Sequence, residues 1–154
     1  MAFAGVVRRF VALVTVTFAQ SVHTYSSSAP STSLHSLAEA KIFALGPVGY
    51  AGKTSEEERH FKALLALDRD KAKQELERLY SSGNPQAMGY ALVGMRKLDP
   101  KRYAELVVAA RTSDMAVTTM WGCIVESEKL STVANDLDSG KYDSWLCWME
   151  KLPL

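Results

Sequence analysis

The chain has 154 residues, 47 % of them apolar and 23 % charged, with a formal net charge of +1. That is the make-up of one soluble domain with a core of its own. So even a balance of charge sets nucleic-acid binding aside, because proteins that bind phosphate backbones concentrate cationic side chains to release counterions.

The N-terminal MAFAGVVRRFVALVTVTFAQS places Arg8 and Arg9 ahead of a run of about ten apolar or Thr residues from Phe10, followed by small residues at Ala19 and Ser21. This is the order of a secretory signal peptide. It predicts residues 1–21 as the signal, cleaved near Ser21, then 22–33 as a Ser-rich linker and 34–154 as one helical domain, exported to a periplasm or the medium. The apolar run is too short for the roughly 30 Å of a bilayer core, so no membrane span is expected in the mature chain. Losing two Arg and no acid with the signal takes the formal net charge from +1 to −1.

The first marked stretch of the mature chain is GPVGYAGKTS, residues 46–55, whose Gly52-Lys53-Thr54 is the ending of a phosphate-binding loop. Such a loop needs a Gly five positions before Gly52, where its backbone N–H groups wrap the phosphate. Pro47 stands there, lacking an N–H and with φ fixed. Three Glu follow at once, so no nucleotide is expected. The stretch reads instead as a Gly-rich turn bearing Tyr50, with Gly49, Tyr50, Gly52 and Lys53 as a candidate recognition surface.

Helix signals then follow closely. Thr54 and Ser55 each precede a Glu three residues on, as in a capping box, and Phe61, Leu64 and Leu65 share one face of the helix they open. Asp68 starts a second helix, with Ala72, Leu76, Leu79 and Tyr80 inward and Gly83 as a left-handed stop. Asn84-Pro85 and Asp99-Pro100 are two further starts, each an N-cap followed by Pro at the first helical position. The helix between them, PQAMGYALVGMRKL, is apolar nearly all round and predicts the most buried element. Tyr103, Leu106 and Val107 face inward from the next.

AVTTMWGCIVES, with its β-branched Val117, Thr118 and Thr119 and Gly122 as a breaker, reads equally as a short extended piece or as a buried helix. Ser131 then caps a short helix ending before Gly140, and KYDSWLCWMEKL closes the chain as an amphipathic helix. Together these elements predict an all-α or mainly α fold, an α-α superhelix of HEAT/armadillo-like helix pairs or a compact helical domain, with room for one extended segment.

Residues that could carry chemistry do not converge in sequence. The two cysteines, Cys123 and Cys147, are a disulfide candidate in an exported chain, closing a loop of about 25 residues, and two buried thiols are the alternative. Glu57-x-x-His60 puts a carboxylate and an imidazole on one helix face, but a dinuclear site needs that element twice. No metal or other cofactor is therefore expected, and no G-x-S-x-G marks a nucleophile.

The segments GPVGYAG, GNPQAMGYALVGMRKLDPKRYAEL, VTTMWGCIVES and SGKYDSWL, which span roughly residues 45–146, resemble a family of small exported bacterial proteins of unknown biochemical role, one type of which is associated with a microcin gene cluster. The motifs concerned are the GYAG turn, the Tyr90 to Gly94 helix and Gly122-Cys123. The resemblance implies export and a helical domain and brings no catalytic residue with it. The expected function is a non-enzymatic module that binds a protein or peptide. The alternative is an exported hydrolase whose site assembles only in three dimensions.

Overall fold

Capping residues divide the helical part of the chain where the sequence places its stops. The computed structural model describes residues 35–149, side chains up to Cys147. The signal peptide and the Ser-rich linker expected at 1–21 and 22–33 lie outside the described residues. Six helices, α1 Glu56–Leu65, α2 Arg69–Ser82, α3 Pro85–Leu98, α4 Pro100–Ala110, α5 Leu130–Asp138 and α6 Asp143–Met149, follow a helical turn at 35–38. Two antiparallel hairpins complete the described residues: β1 Pro47–Val48 with β2 Lys53–Thr54, and β3 Ala116–Trp121 with β4 Ile124–Lys129. The fold is mainly α.

The caps act as their chemistry requires, each accepting from an N–H that the first helical turn leaves without a partner. Ser55 Oγ accepts from Glu58 N at 3.0 Å, Asn84 Oδ1 from Ala87 N at 2.9 Å and Asp99 Oδ1 from Arg102 N at 3.1 Å. Asp68 caps α2 in the same way. Two expectations fail. Gly83 is extended, with φ −81°, so it is not a left-handed stop. What requires glycine there is space: a Cβ would lie 2.5 Å from the Leu79 carbonyl oxygen and 2.6 Å from the Ala87 Cβ. Ser131 does not cap α5, which begins one residue earlier, after Lys129, without a side-chain cap.

α3 is the hub. It packs against α2, α4, α5 and β3, and Tyr90, Ala91, Leu92, Val93 and Met95 along it are essentially inaccessible to solvent. Ion pairs lace the outer faces: Arg102 forks onto Glu77 to join α4 to α2 at 2.5 and 3.0 Å, Arg111 holds Asp138 between α4 and α5, and Arg96 reaches Asp143 at 2.7 Å between α3 and α6.

The ambiguous stretch after α4 is a β-hairpin. Val117 and Thr119 point inward and are wholly buried, while Thr118 and Met120, which alternate with them, are only half covered. This alternation suits β-branched side chains on one half-buried face. The outer edge of β3 is met by the segment before β1: Phe43 N donates to Thr118 O at 2.7 Å, and Phe43 O accepts from Met120 N at 3.1 Å. β3 is thereby flanked on both sides. Among the described residues β4 has β3 as its neighbour on one side alone.

Candidate functional site

The GYAG turn and the tip of the long hairpin meet at one end of the molecule. Gly49, with φ +70°, and Gly122, with φ +54°, hold backbone conformations that L side chains rarely adopt. Trp121 pairs with Ile124, leaving Gly122-Cys123 as a two-residue turn with positive φ at its first position alone, as in a type II′ hairpin. Gly49 N donates to Gly122 O at 2.7 Å and fastens the two turns together.

GPVGYAGKTS is therefore a hairpin. Lys53 and Thr54 pair in β2 with Val48 and Pro47, and the helix N-terminus that follows carries Glu56, Glu57 and Glu58 in its first turn. Tyr50 is fully exposed, at 102 % relative accessibility. Gly49 and Gly52 shape its turn, joined by Gly52 N to Gly49 O at 3.0 Å, and Lys53 is exposed beside it. Around this end stand Trp121, 37 % exposed, Ile124 at 62 % and Val125 at 58 %.

Beside these turns opens a cleft of about 380 Å³, walled by Trp121, Tyr142 and Trp145 and bordered by Glu58, Lys62 and Lys141. Trp121 stacks on Tyr142, ring centres 5.4 Å apart and planes at 24°, and the Lys141 ammonium sits 5.4 Å from the Trp121 ring centre. Lys141 is itself held by Asp136 at 2.5 Å. Burial pushes the Tyr142 phenol well above its ordinary value, with Asp136 and Glu128 adding to the effect. Its hydroxyl is enclosed and has no hydrogen-bond partner among the described residues.

Glu58 is the buried charge of the cleft, 1 % exposed. Its Oε1 accepts from Trp145 Nε1 at 2.9 Å and faces Lys62 Nζ at 2.6 Å, while Oε2 accepts from Gly46 N at 2.8 Å. One carboxylate thus ties α1, the loop entering β1, and α6. The capping box is only half formed: Ser55 takes the Glu58 N–H, but the Glu58 side chain turns inward instead of back to the cap.

The disulfide expectation is corrected. Cys123 and Cys147 are both free and both exposed, which also overturns the buried-thiol alternative. Cys123 sits in the hairpin turn beyond the last ladder pair. Cys147 lies on the outer side of α6, whose inward position is taken by Trp145 against Phe61, ring centres 5.7 Å apart. His60 is half-buried on α1, and no cluster of three or more His, Cys, Asp or Glu able to hold a metal occurs among the described residues.

Sequence reasoning placed Tyr50 and Lys53 on an exposed turn, where they lie, but missed the cleft. Glu58 reads as a capping acid, and only its spacing of four from Lys62 hints at a pair. Trp121, Tyr142 and Trp145 come from separate elements, so nothing in their spacing brings them together. No described helix is long and apolar enough to cross a membrane. Compared with known proteins, the chain matches no family model, no curated protein and no solved structure.

Proposed function

We propose that this chain is a non-enzymatic binding module that takes a protein or peptide partner at the end where the GYAG turn meets the β3–β4 tip. The carrying observation is that Trp121, 37 % exposed, forms part of an aromatic cleft at the end of the molecule where the exposed Tyr50 turn meets the β3–β4 tip with its exposed Ile124 and Val125. Exposed aromatic side chains on turns held by a rigid scaffold are what recognition surfaces are made of. The helical part serves as that scaffold, and we read it as a compact helical domain in preference to a HEAT-like superhelix, since α3 has neighbours on several sides at once. Export after cleavage near Ser21, and kinship with the small exported bacterial proteins that the sequence resembles, belong to the same reading. An intact mass lacking 21 N-terminal residues, measured on protein from the native host, is the result expected of export.

A photo-crosslinking side chain placed at Tyr50 in the native host tests the binding reading, with the exposed Arg78 on α2 as the control position. A discrete adduct at Tyr50 that is absent at Arg78 is expected. Equal labelling at both, or none at Tyr50, overturns the site.

Glu58 favours a second reading, a hydrolase, because it is a buried carboxylate in a concave site with Lys62 within hydrogen-bond reach. It ranks lower because both carboxylate oxygens are already engaged by donors that hold the fold. Turnover of ester, peptide or glycoside substrates that disappears in Glu58→Gln, with folding intact, would promote it.

A further inference from the structure

Charge and hydrogen-bonding capacity are left over in one more place, the outer edge of β4. Its ladder partners lie on the β3 side, and among the described residues no strand or loop pairs with its other edge. Alternate residues of the six-residue strand, Val125, Ser127 and Lys129, therefore present their backbone N–H and C=O groups outward, a template for a further strand. The register puts Ile124, Glu126 and Glu128 on one face and Val125, Ser127 and Lys129 on the other.

The side chains along this edge say what would fit. Lys129 is neutralised by Asp114 at 2.6 Å. Glu126 makes no ion pair or hydrogen bond among the described residues, and Glu128 Oε2 is enclosed without a hydrogen-bond partner. Two unanswered carboxylates thus stand two residues apart on one face, beside the exposed Ile124 and Val125. A second copy of the chain suits the edge poorly: antiparallel pairing centred on Ser127 sets Glu126 against Glu128 in both directions, and like charges directly opposite are destabilising. The acids that discourage self-pairing select a strand of opposite charge.

We infer that β4 is a strand-addition site for an extended peptide segment that carries basic residues at alternate positions, opposite Glu128 and Glu126, followed by apolar residues opposite Val125 and Ile124. Antiparallel addition, the more stable arrangement, reads the partner in the order basic, any, basic, apolar, apolar. This rests on the binding-module reading but uses a different surface from Tyr50 and the cleft.

The test uses the full chain and two blocked peptides. The first runs threonine, lysine, threonine, lysine, valine, isoleucine, and the second has both lysines replaced by glutamate. Opposite charges across a strand pair attract and like charges repel, so with two such pairs the lysine peptide should bind about fourfold tighter or more. Alternate β4 amides should gain protection from hydrogen exchange. E126K/E128K should invert the preference, and binding of the glutamate peptide by that variant also shows that it folds. Equal affinities, an unchanged preference in E126K/E128K, protection outside β4, or binding of neither peptide overturns the proposal. If the edge fails while Tyr50 still crosslinks to a partner, the binding-module reading stands and only the edge falls.

Discussion

The helical body and the two-turn end of this molecule handle apolar surface in opposite ways. Around α3 the large side chains are inaccessible, with Tyr90, Leu92 and Met95 at 0–1 % exposure, whereas at the turns Tyr50, Ile124 and Val125 stand at 102, 62 and 58 %. Exposed carboxylates of the body are mostly answered by a cation, as Glu77 is by Arg102 and Asp138 by Arg111. Glu126 and Glu128 on β4 have no such partner among the described residues. Leaving apolar area and charge unanswered gives up stability that the body elsewhere secures. On the function proposed, the difference separates scaffold from surface: the helices hold position, and the hairpins present the apolar side chains left exposed.

Two buried polar side chains join these regions, and removing them should break the comparison most sharply. Glu58→Ala leaves Gly46 N and Trp145 Nε1 without their acceptor and removes the ion pair to Lys62. A loss of about 3–5 kcal/mol is expected in chemical denaturation, as when one member of a buried pair is removed. A loss under about 1 kcal/mol would mean that the cleft does not depend on this tether. Next in size is Tyr90→Phe. The Tyr90 hydroxyl donates to Ala44 O and accepts from Ala44 N, each at 3.0 Å, so the change orphans two buried backbone groups and should cost about 2–3 kcal/mol. Amide exchange at Ala44 should accelerate with it.

The acid limb of stability sharpens the picture of the body alone. The Arg102 backbone N–H holds the Asp99 carboxyl below its ordinary value, against some desolvation and with help from Lys73. A group whose folded value is depressed contributes in full above its unfolded value, about 3.9, and loses that contribution as pH falls through the folded value. Asp99→Asn keeps a side-chain cap, so it should flatten the loss of stability between pH 5 and pH 2, read from denaturation midpoints. An unchanged acid limb would assign that loss to other carboxylates. Smallest of all is Tyr50→Ala, expected within about 0.5 kcal/mol of the parent because the ring is fully exposed. A larger destabilisation would move Tyr50 from the surface into the scaffold.

Most helix boundaries were legible because caps are local chemistry. Asn84, Asp99, Asp68 and Ser55 each meet an N–H two or three residues away, and that distance is set by the helix itself. Gly83 shows where local reading goes astray: its stop looks conformational, but its physical reason is the crowding of Leu79 and Ala87, one of which belongs to the next helix. Val117 to Val125 could not be decided locally either, since β-branched residues around one glycine suit a hairpin only if a neighbour covers the inward face. Phe43, more than seventy residues away in the chain, supplies the flanking backbone.

The site divides along the same line. Tyr50 and Lys53 were readable as an exposed turn because glycine spacing is a local constraint on the backbone. The cysteines looked like a pair because sequence counts residues and not directions: one tops a hairpin and the other faces outward from α6. By itself the sequence determined most of the helices, the caps at Ser55, Asp68, Asn84 and Asp99, the burial of α3 and the Gly-bearing turn, all governed by interactions within a few residues. Only the tertiary structure decided that Glu58 is a buried tether, that Trp121, Tyr142 and Trp145 wall one cleft, and that β4 keeps an open acidic edge. Those features depend on which distant surfaces exclude water from one another, and burial of that kind is a property of the packed chain.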